Sequence, residues 1–302
     1  MASEVIALFG PTGVGKTDVA ISVADRLRAL GEQPVAVSAD ALQVYTGLEI
    51  LTGAAGPGTR ARLEHRLIAF LPIDATFSAG EYAELAHSEI DDLLAAGRRP
   101  IVVGGTGLYL RAALTEMAFR PPPAAGARAR WQQELEARGA AALHAQIAER
   151  APWAAAEIDP ADRQRIVRAL ELLETGGLEP HGGESELWTS TVRRRTLLVG
   201  LVMEREELYR RIDARVLEML AAGVEAEVAR ANAAGASVTA RKALGFNELL
   251  AGDVEAMKRH TRNYARRQLT WMRKLADVNV IDATGRSADA VADAVIERWQ
   301  DA

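Results

Sequence analysis

The first residues past the N-terminus, EVIALF at 4–9, form a nearly unbroken apolar run that stops at Gly10, Pro11 and Gly13. Two runs of the same texture follow, PVAVS at 34–38 and RPIVVGG at 99–105. Apolar residues on consecutive positions, with no alternation, predict strands buried on both faces of a parallel sheet. Between these runs the spacing is helical, with one helix expected from about Lys16 and another over 80–97. Strand, helix and strand in alternation imply helices on both faces of the sheet.

The texture changes after AFRPPPAAGA at 118–127, where three prolines break any element. From 127 to about 175 the chain is rich in Ala, Arg and Glu at helical spacing, with no convincing strand, and a Gly-rich, acidic connection, TGGLEPHGGESE, follows at 175–186. RTLLVGLVM at 195–203 restores a strand. Helical stretches are then expected near 205–221, 223–233, 240–251 and 254–274, followed by a short strand VNVID at 278–282 and a last helix.

Composition narrows the chemistry. The chain has no cysteine, which excludes disulfides, thiolate metal sites and a cysteine nucleophile. The N-terminal apolar run is too short for a signal-peptide core or a membrane span, so a cytoplasmic protein with no membrane partner is expected. The formal net charge of −5 argues at first against a nucleic-acid partner. Distribution reverses that argument: KRHTRNYARRQLTWMRK at 258–274 carries many Lys and Arg and no acid, and VRRRT at 192–196 and DRQRIVR at 162–168 add to it. Several such clusters in an acidic protein suggest a segregated basic surface, although each alone reads as a solvated helix face.

Gly10, Pro11, Thr12, Gly13, Val14, Gly15, Lys16 and Thr17 spell a phosphate loop, G-x-x-x-x-G-K-[ST], directly after a strand and at the start of a helix. Its glycines let backbone N–H groups face phosphate oxygens, Lys16 adds a point charge and Thr17 can ligate Mg2+. The fold expected is therefore α/β, a P-loop parallel sheet flanked by helices with an inserted all-helical subdomain; the core takes 1–118 and 191–302 and the insertion 119–190. A nucleotide-hydrolysing enzyme of this class carries an acid at the end of a later strand to order metal and water. Here that strand ends in GGTG at 104–107. The strand at 34–38 runs instead into SADALQVYTG, placing Asp40 beside the loop, where it could be a metal ligand, a general base or a turn residue.

Taken in order, GPTGVGKT, SADALQVYTGLEI, VVGGTGLYLRAAL, DRQRIVRALEL, LYRRIDARVLEML, ARKALGFNELL and TRNYARRQLTWMRK resemble the tRNA dimethylallyltransferases, also called tRNA isopentenyltransferases, over roughly residues 4–282. The resemblance implies transfer of a dimethylallyl group from dimethylallyl diphosphate to N6 of the adenosine at position 37, beside the anticodon, with Mg2+ as cofactor and tRNA as partner. The loop would then cradle a leaving group, which explains why no water-orienting acid follows. By the same pattern Asp40 is the base that takes the amine proton, Lys16, Thr106 and Arg215 serve the reacting diphosphate, and Asp40, Ala41, Leu42, Gln43 and Thr106 meet the target base. Arg128 and Gln164, Arg165, Ile166, Val167 and Arg168 become RNA contacts from the insertion, joined by Arg241, Lys242, Gly245, Arg266, Arg267, Gln268 and Arg273 from the core. A monomer is expected.

The family pattern continues past the acidic motif as D-I-G-T-A-K, where this chain has Glu49, Ile50, Leu51, Thr52, Gly53 and Ala54. The lysine and a glycine are thus replaced, and a family acid after EHRLI at 64–68 is Ala69. These changes bear on donor affinity or identity. A free adenine-nucleotide prenyltransferase, a small-molecule kinase and a noncatalytic RNA-binding protein are the competing readings; the helical insertion and the RRQLTWMR text weigh against the first, the missing second acid against the second, and intact Lys16, Thr17 and Asp40 against the third.

Overall fold

The structure is a computed structural model that describes residues 3–120, 123–124, 126–180 and 186–301. It separates into two compact units, one of Met1–Met117 with Glu186–Ala302 and one of Ala118–Ser185.

The larger unit is built on a six-stranded sheet, all parallel, in the order β3-β2-β4-β1-β5-β6. β1 (Val5–Phe9) is fully buried and paired on both edges, which is why its sequence is apolar on every position. β2 (Pro34–Ala39), β4 (Arg99–Gly104) and β5 (Thr196–Val202) complete the interior, and β6 (Asn279–Asp282) closes one edge. The other edge is β3 (His65–Arg66), two polar residues that hydropathy gave no means to predict.

After β1 the chain crosses through α1 (Lys16–Ala29) to β2 and returns to β4, which lies between the two. The strand order therefore reverses beside β1, and the carboxyl ends of β1, β2 and β4 open there onto one crevice, the usual ligand position of such sheets. Two short helices, α2 (Glu49–Thr52) and α3 (Pro57–Arg62), follow β2. α4 (Ala79–Ala95) starts at a capping box in which Ser78 and Glu81 satisfy each other's backbone N–H, and α5 (Gly107–Leu114) starts directly at the end of β4.

In the smaller unit α6 (Ala127–Arg138), α7 (Ala140–Arg150), α8 (Pro152–Glu157) and α9 (Arg163–Thr175) pack around Leu135, Leu143, Ile147, Ile166 and Leu170, with no strand among its described residues. Returning to the larger unit, α10 (Arg205–Ala221), α11 (Val224–Ala233), α12 (Phe246–Leu250) and α13 (Val254–Met272) precede β6, and α14 (Ala288–Asp301) packs on α1. The helix expected over 240–251 is instead a single turn at Ala240–Lys242 and the short α12, because Gly245 between them adopts φ 96°. Among the described residues no helix is long and apolar enough to cross a membrane.

Candidate active site

The phosphate loop wraps the carboxyl end of β1. Gly13 and Gly15 hold φ values of 85° and 96°, which an L side chain tolerates poorly, and a Cβ on Gly13 would also press against Ile212. Thr12, Gly13, Gly15, Lys16 and Thr17 line a cavity of about 360 Å³. Val14 points the other way, into the core, and Pro11 is buried, so the loop alternates between wall and anchor. Lys16 Nζ donates to the carbonyls of Gly10 at 2.9 Å and Pro11 at 3.0 Å. Burial lowers its pKa to about 8, against the opposing pull of the Asp40 charge and with a smaller push from Arg215.

Asp40 directly follows β2 and lines the same cavity. Its Oδ1 accepts the N–H of Leu42 at 3.0 Å, which fixes the carboxylate's rotation. Burial raises its pKa, while backbone N–H groups and the charges of Lys16 and Arg215 oppose the rise. Gln43 Oε1 accepts Ser38 Oγ at 3.1 Å and its Nε2 reaches Thr52 O at 3.4 Å. Ala41 and Leu42 complete this wall.

At the end of β4, Gly104, Gly105 and Thr106 face the cavity, and no acid stands there. A Cβ on Gly104 would overlap the Ala39 carbonyl, and one on Gly105 would overlap Gln268 Nε2. α13 grips this loop along one face. Tyr264 Oη lies 3.3 Å from Thr106 Oγ1, Gln268 Nε2 donates to Gly105 O at 2.7 Å, and the Trp271 ring fills the space a Cβ on Gly107 would need. Burial raises the pKa of Tyr264 to about 12 and keeps it a neutral hydroxyl. Trp271 also packs on Trp188, with ring centroids 4.6 Å apart.

Arg215 comes from α10, where Leu208 and Ile212 turn inward as their spacing implies. Its guanidinium lies over Gly53: a Cβ there would overlap Arg215 Nη2, and Gly53 has φ 61°. Burial lowers the pKa of Arg215, with Asp40 the largest opposing charge. The cavity thus brings together the loop, Lys16, Thr17, Asp40, Gln43, Thr106 and Arg215, and adds Lys242 and Arg267. His65, on β3, and Tyr264 join the wall without any signal in the sequence that marks them.

Several expected RNA contacts are engaged in bracing or packing. Gln268 is 4% exposed and its amide is committed at both ends, to Gly105 O and to the Thr12 N–H, so it braces two loops. Gly245 packs against Met257 and Leu51, while Arg241 donates to Ala236 O and lies over the Phe246 ring. Arg266 on α13 and Arg273 at its C-terminal cap are exposed. In the smaller unit Ile166 and Val167, two of the expected RNA contacts, have their side chains buried among the helices, where the apolar face of an amphipathic helix is spent on packing. Arg128 and Arg168 both bind Glu171, whose side chain is fully buried, while Gln164 and Arg165 face solvent.

A family model described as IPP transferase matches residues 43–275. The tRNA dimethylallyltransferase of Kineococcus radiotolerans is 40% identical over 281 residues, covering 89% of this chain and 87% of that protein. The one from Symbiobacterium thermophilum is 38% identical over 99% of this chain and 97% of its own. Among solved structures, the tRNA isopentenylpyrophosphate transferase of Bacillus halodurans superposes with a TM-score of 0.70 at 28% identity, covering 99% of this chain and 97% of that one. The Staphylococcus epidermidis transferase does so with a TM-score of 0.68 at 32% identity, covering 98% of each. With the phosphate loop, Asp40, Thr106 and Arg215 in one crevice of a matching sheet, this chain belongs to the IPP transferase family.

Proposed function

We propose that this protein transfers the dimethylallyl group of dimethylallyl diphosphate to N6 of the adenosine at position 37 of tRNA, in the cytoplasm. The observation that carries the reading is a phosphate loop and a half-buried carboxylate, Asp40, in one cavity whose β4 rim is glycine and threonine rather than acid. That arrangement suits departure of a whole diphosphate, since no hydrolytic water has to be oriented. The bond from the allylic carbon to the diphosphate oxygen breaks, its electron pair leaves with the diphosphate, and N6 supplies the pair for the new carbon–nitrogen bond. Asp40 accepts the N6 proton.

Charge gathering on the diphosphate is met by the N–H groups of Gly13 and Gly15, by Lys16 and by Arg215. The Thr12 N–H is already taken by Gln268. Thr106 Oγ1, held by Tyr264, stands where it can donate to the donor or the base. Gln43 is placed to read the entering adenine, its amide oriented by Ser38 and Thr52. It acts as a monomer in this reading.

The oxygen donors present fit Mg2+. Thr17, Asp18 and Asp40 line the cavity, and among the described residues no cluster of three or more His or acid groups exists that would make a closed protein cage. A hard cation that keeps several waters and takes the rest of its ligands from substrate phosphates needs no more than this, and Thr17 would hold it. When bound it supplies positive charge against the departing diphosphate.

Incubation of the purified protein with Mg2+, labelled dimethylallyl diphosphate, and either unmodified tRNA carrying A37 or free AMP tests the reading. Label in tRNA alone is expected. Label in AMP alone would make the protein a free-nucleotide prenyltransferase, and label in neither would remove the proposed reaction.

A further inference from the structure

Glu227 on α11 is 4% exposed and stands outside the cavity wall, yet its carboxylate is fully engaged with a segment that forms that wall. Oε1 accepts the N–H of Ile50 and Oε2 that of Leu51, each at 2.8 Å. These are N-terminal amides of α2, whose own N-cap residue, Leu48, offers no side-chain bond. A four-residue helix has too few internal bonds to hold itself and depends on outside partners for its orphan donors. Glu227 supplies them from a position 177 residues further along the chain.

The other end of α2 enters the cavity. Thr52 O receives Gln43 Nε2, and Gly53, left-handed at φ 61°, passes beneath the Arg215 guanidinium with no room for a side chain. The helix rises only about 6 Å from end to end, so a shift at its capped amides is a shift at Gly53. We propose that Glu227 is a positioning residue for the diphosphate: by holding α2 at Ile50 and Leu51 it seats Gly53 under Arg215, and so sets where the guanidinium stands. Arg215 is the cation that packs directly on the end of α2, its Nη2 and Cζ lying where a Cβ on Gly53 would stand.

The inference rests on the donor site described above, and it is tested by binding as well as turnover. Glu227→Gln keeps one acceptor and sets an NH2 against an amide N–H. Gly53→Ala acts from the opposite end, and stays informative if the first variant folds poorly. Both are expected to raise the Kd for inorganic pyrophosphate and the KM for dimethylallyl diphosphate about tenfold, the equivalent of one charge-assisted contact. The KM for tRNA is expected to rise less than the KM for dimethylallyl diphosphate, since α2 meets the base-reading side only through the long Thr52 O–Gln43 contact, and the double variant to be no worse than the weaker single, because both act through one contact. Unchanged pyrophosphate affinity in both variants would overturn the proposal, whatever their melting temperatures, as would an equal rise in the KM for tRNA. If the wild type binds pyrophosphate but moves no prenyl group, the proposed reaction fails while the pyrophosphate comparison still decides the role of Glu227.

Discussion

Gln268 Oε1 accepts the backbone N–H of Thr12 at 2.8 Å, joining α13 to the phosphate loop across 256 positions of sequence, and the same amide donates to Gly105 O at 2.7 Å. One side chain thus sets the spacing between the loop at Thr12 and the Thr106 loop. Gln268→Leu keeps the bulk and strands both backbone groups, each at a cost of about 1–3 kcal/mol. A lower melting temperature is expected, together with a larger fall in kcat/KM for the donor than for tRNA. Calorimetry beside steady-state kinetics checks this; a variant with normal stability and donor kinetics but weakened tRNA binding would return Gln268 to the RNA surface.

Asp40 can accept the N6 proton only as a carboxylate. Burial raises its pKa, so the acid limb of the kcat/KM profile is expected above the ordinary carboxylate range, with activity growing as pH rises through it. Asp40→Asn preserves an acceptor for Leu42 N–H but removes the base. Turnover is expected to fall by roughly 10² to 10⁴ and the acid limb to disappear, with tRNA affinity little changed. Single-turnover rates across pH on preformed complex read this directly.

Lys16 gives the opposite sign. Its pKa is lowered to about 8 by burial, so the ammonium is present below that pH and lost above it. Pyrophosphate favours the charged form, hence its affinity is expected to decline as pH rises through about 8, and binding above that pH is expected to take up a proton. Titration calorimetry in two buffers of different ionisation enthalpy measures the uptake. An affinity flat from pH 7 to beyond 9 would assign the phosphate charge to other groups.

The parts of this protein that were legible in sequence are those whose physics is local. A strand buried on both faces must be apolar at each position, and a phosphate loop must place glycines and a lysine at fixed offsets, so β1 and its loop announce themselves. β3 does not, being two polar residues at an edge whose identity comes from pairing with Ala36 and Val37. α2 is invisible for the same reason, since its cap arrives from Glu227. The arginine-rich text of α13 reads as an RNA face, and Arg266 and Arg273 are exposed, yet Tyr264, Gln268 and Trp271 lie three and four positions apart and form a second face turned to the active-site loops. Leu51, a departure that sequence reading connects with donor choice, is 5% exposed and packs in an apolar cluster with Phe246 and Met257 while also touching the cavity, so it serves packing as well.

In the helical unit two arginines that look alike in sequence are set apart by their partners. The side chain of Arg165 is 70% exposed, 3.6 Å from Asp162, whereas Arg128 makes two bonds to Glu171, at 2.7 and 3.0 Å, whose side chain has no exposure. An exposed cation that meets a phosphate contributes through counterion release, so Arg165→Ala is expected to weaken tRNA binding, to reduce the slope of log K against log salt by about 0.7 to 0.9, and to leave turnover of the bound complex unchanged. Arg128→Ala takes one cation from a buried carboxylate that keeps Arg168, at 3.1 Å, as its remaining partner. Full loss of such partners costs about 3–5 kcal/mol; with Arg168 retained and Arg128 half-exposed, about 1–2 kcal/mol is expected. Faster hydrogen exchange across α6 and α9, at a largely preserved salt slope, would identify Arg128 as a strut of the unit, while a lowered slope at normal protection would make it an RNA contact like Arg165.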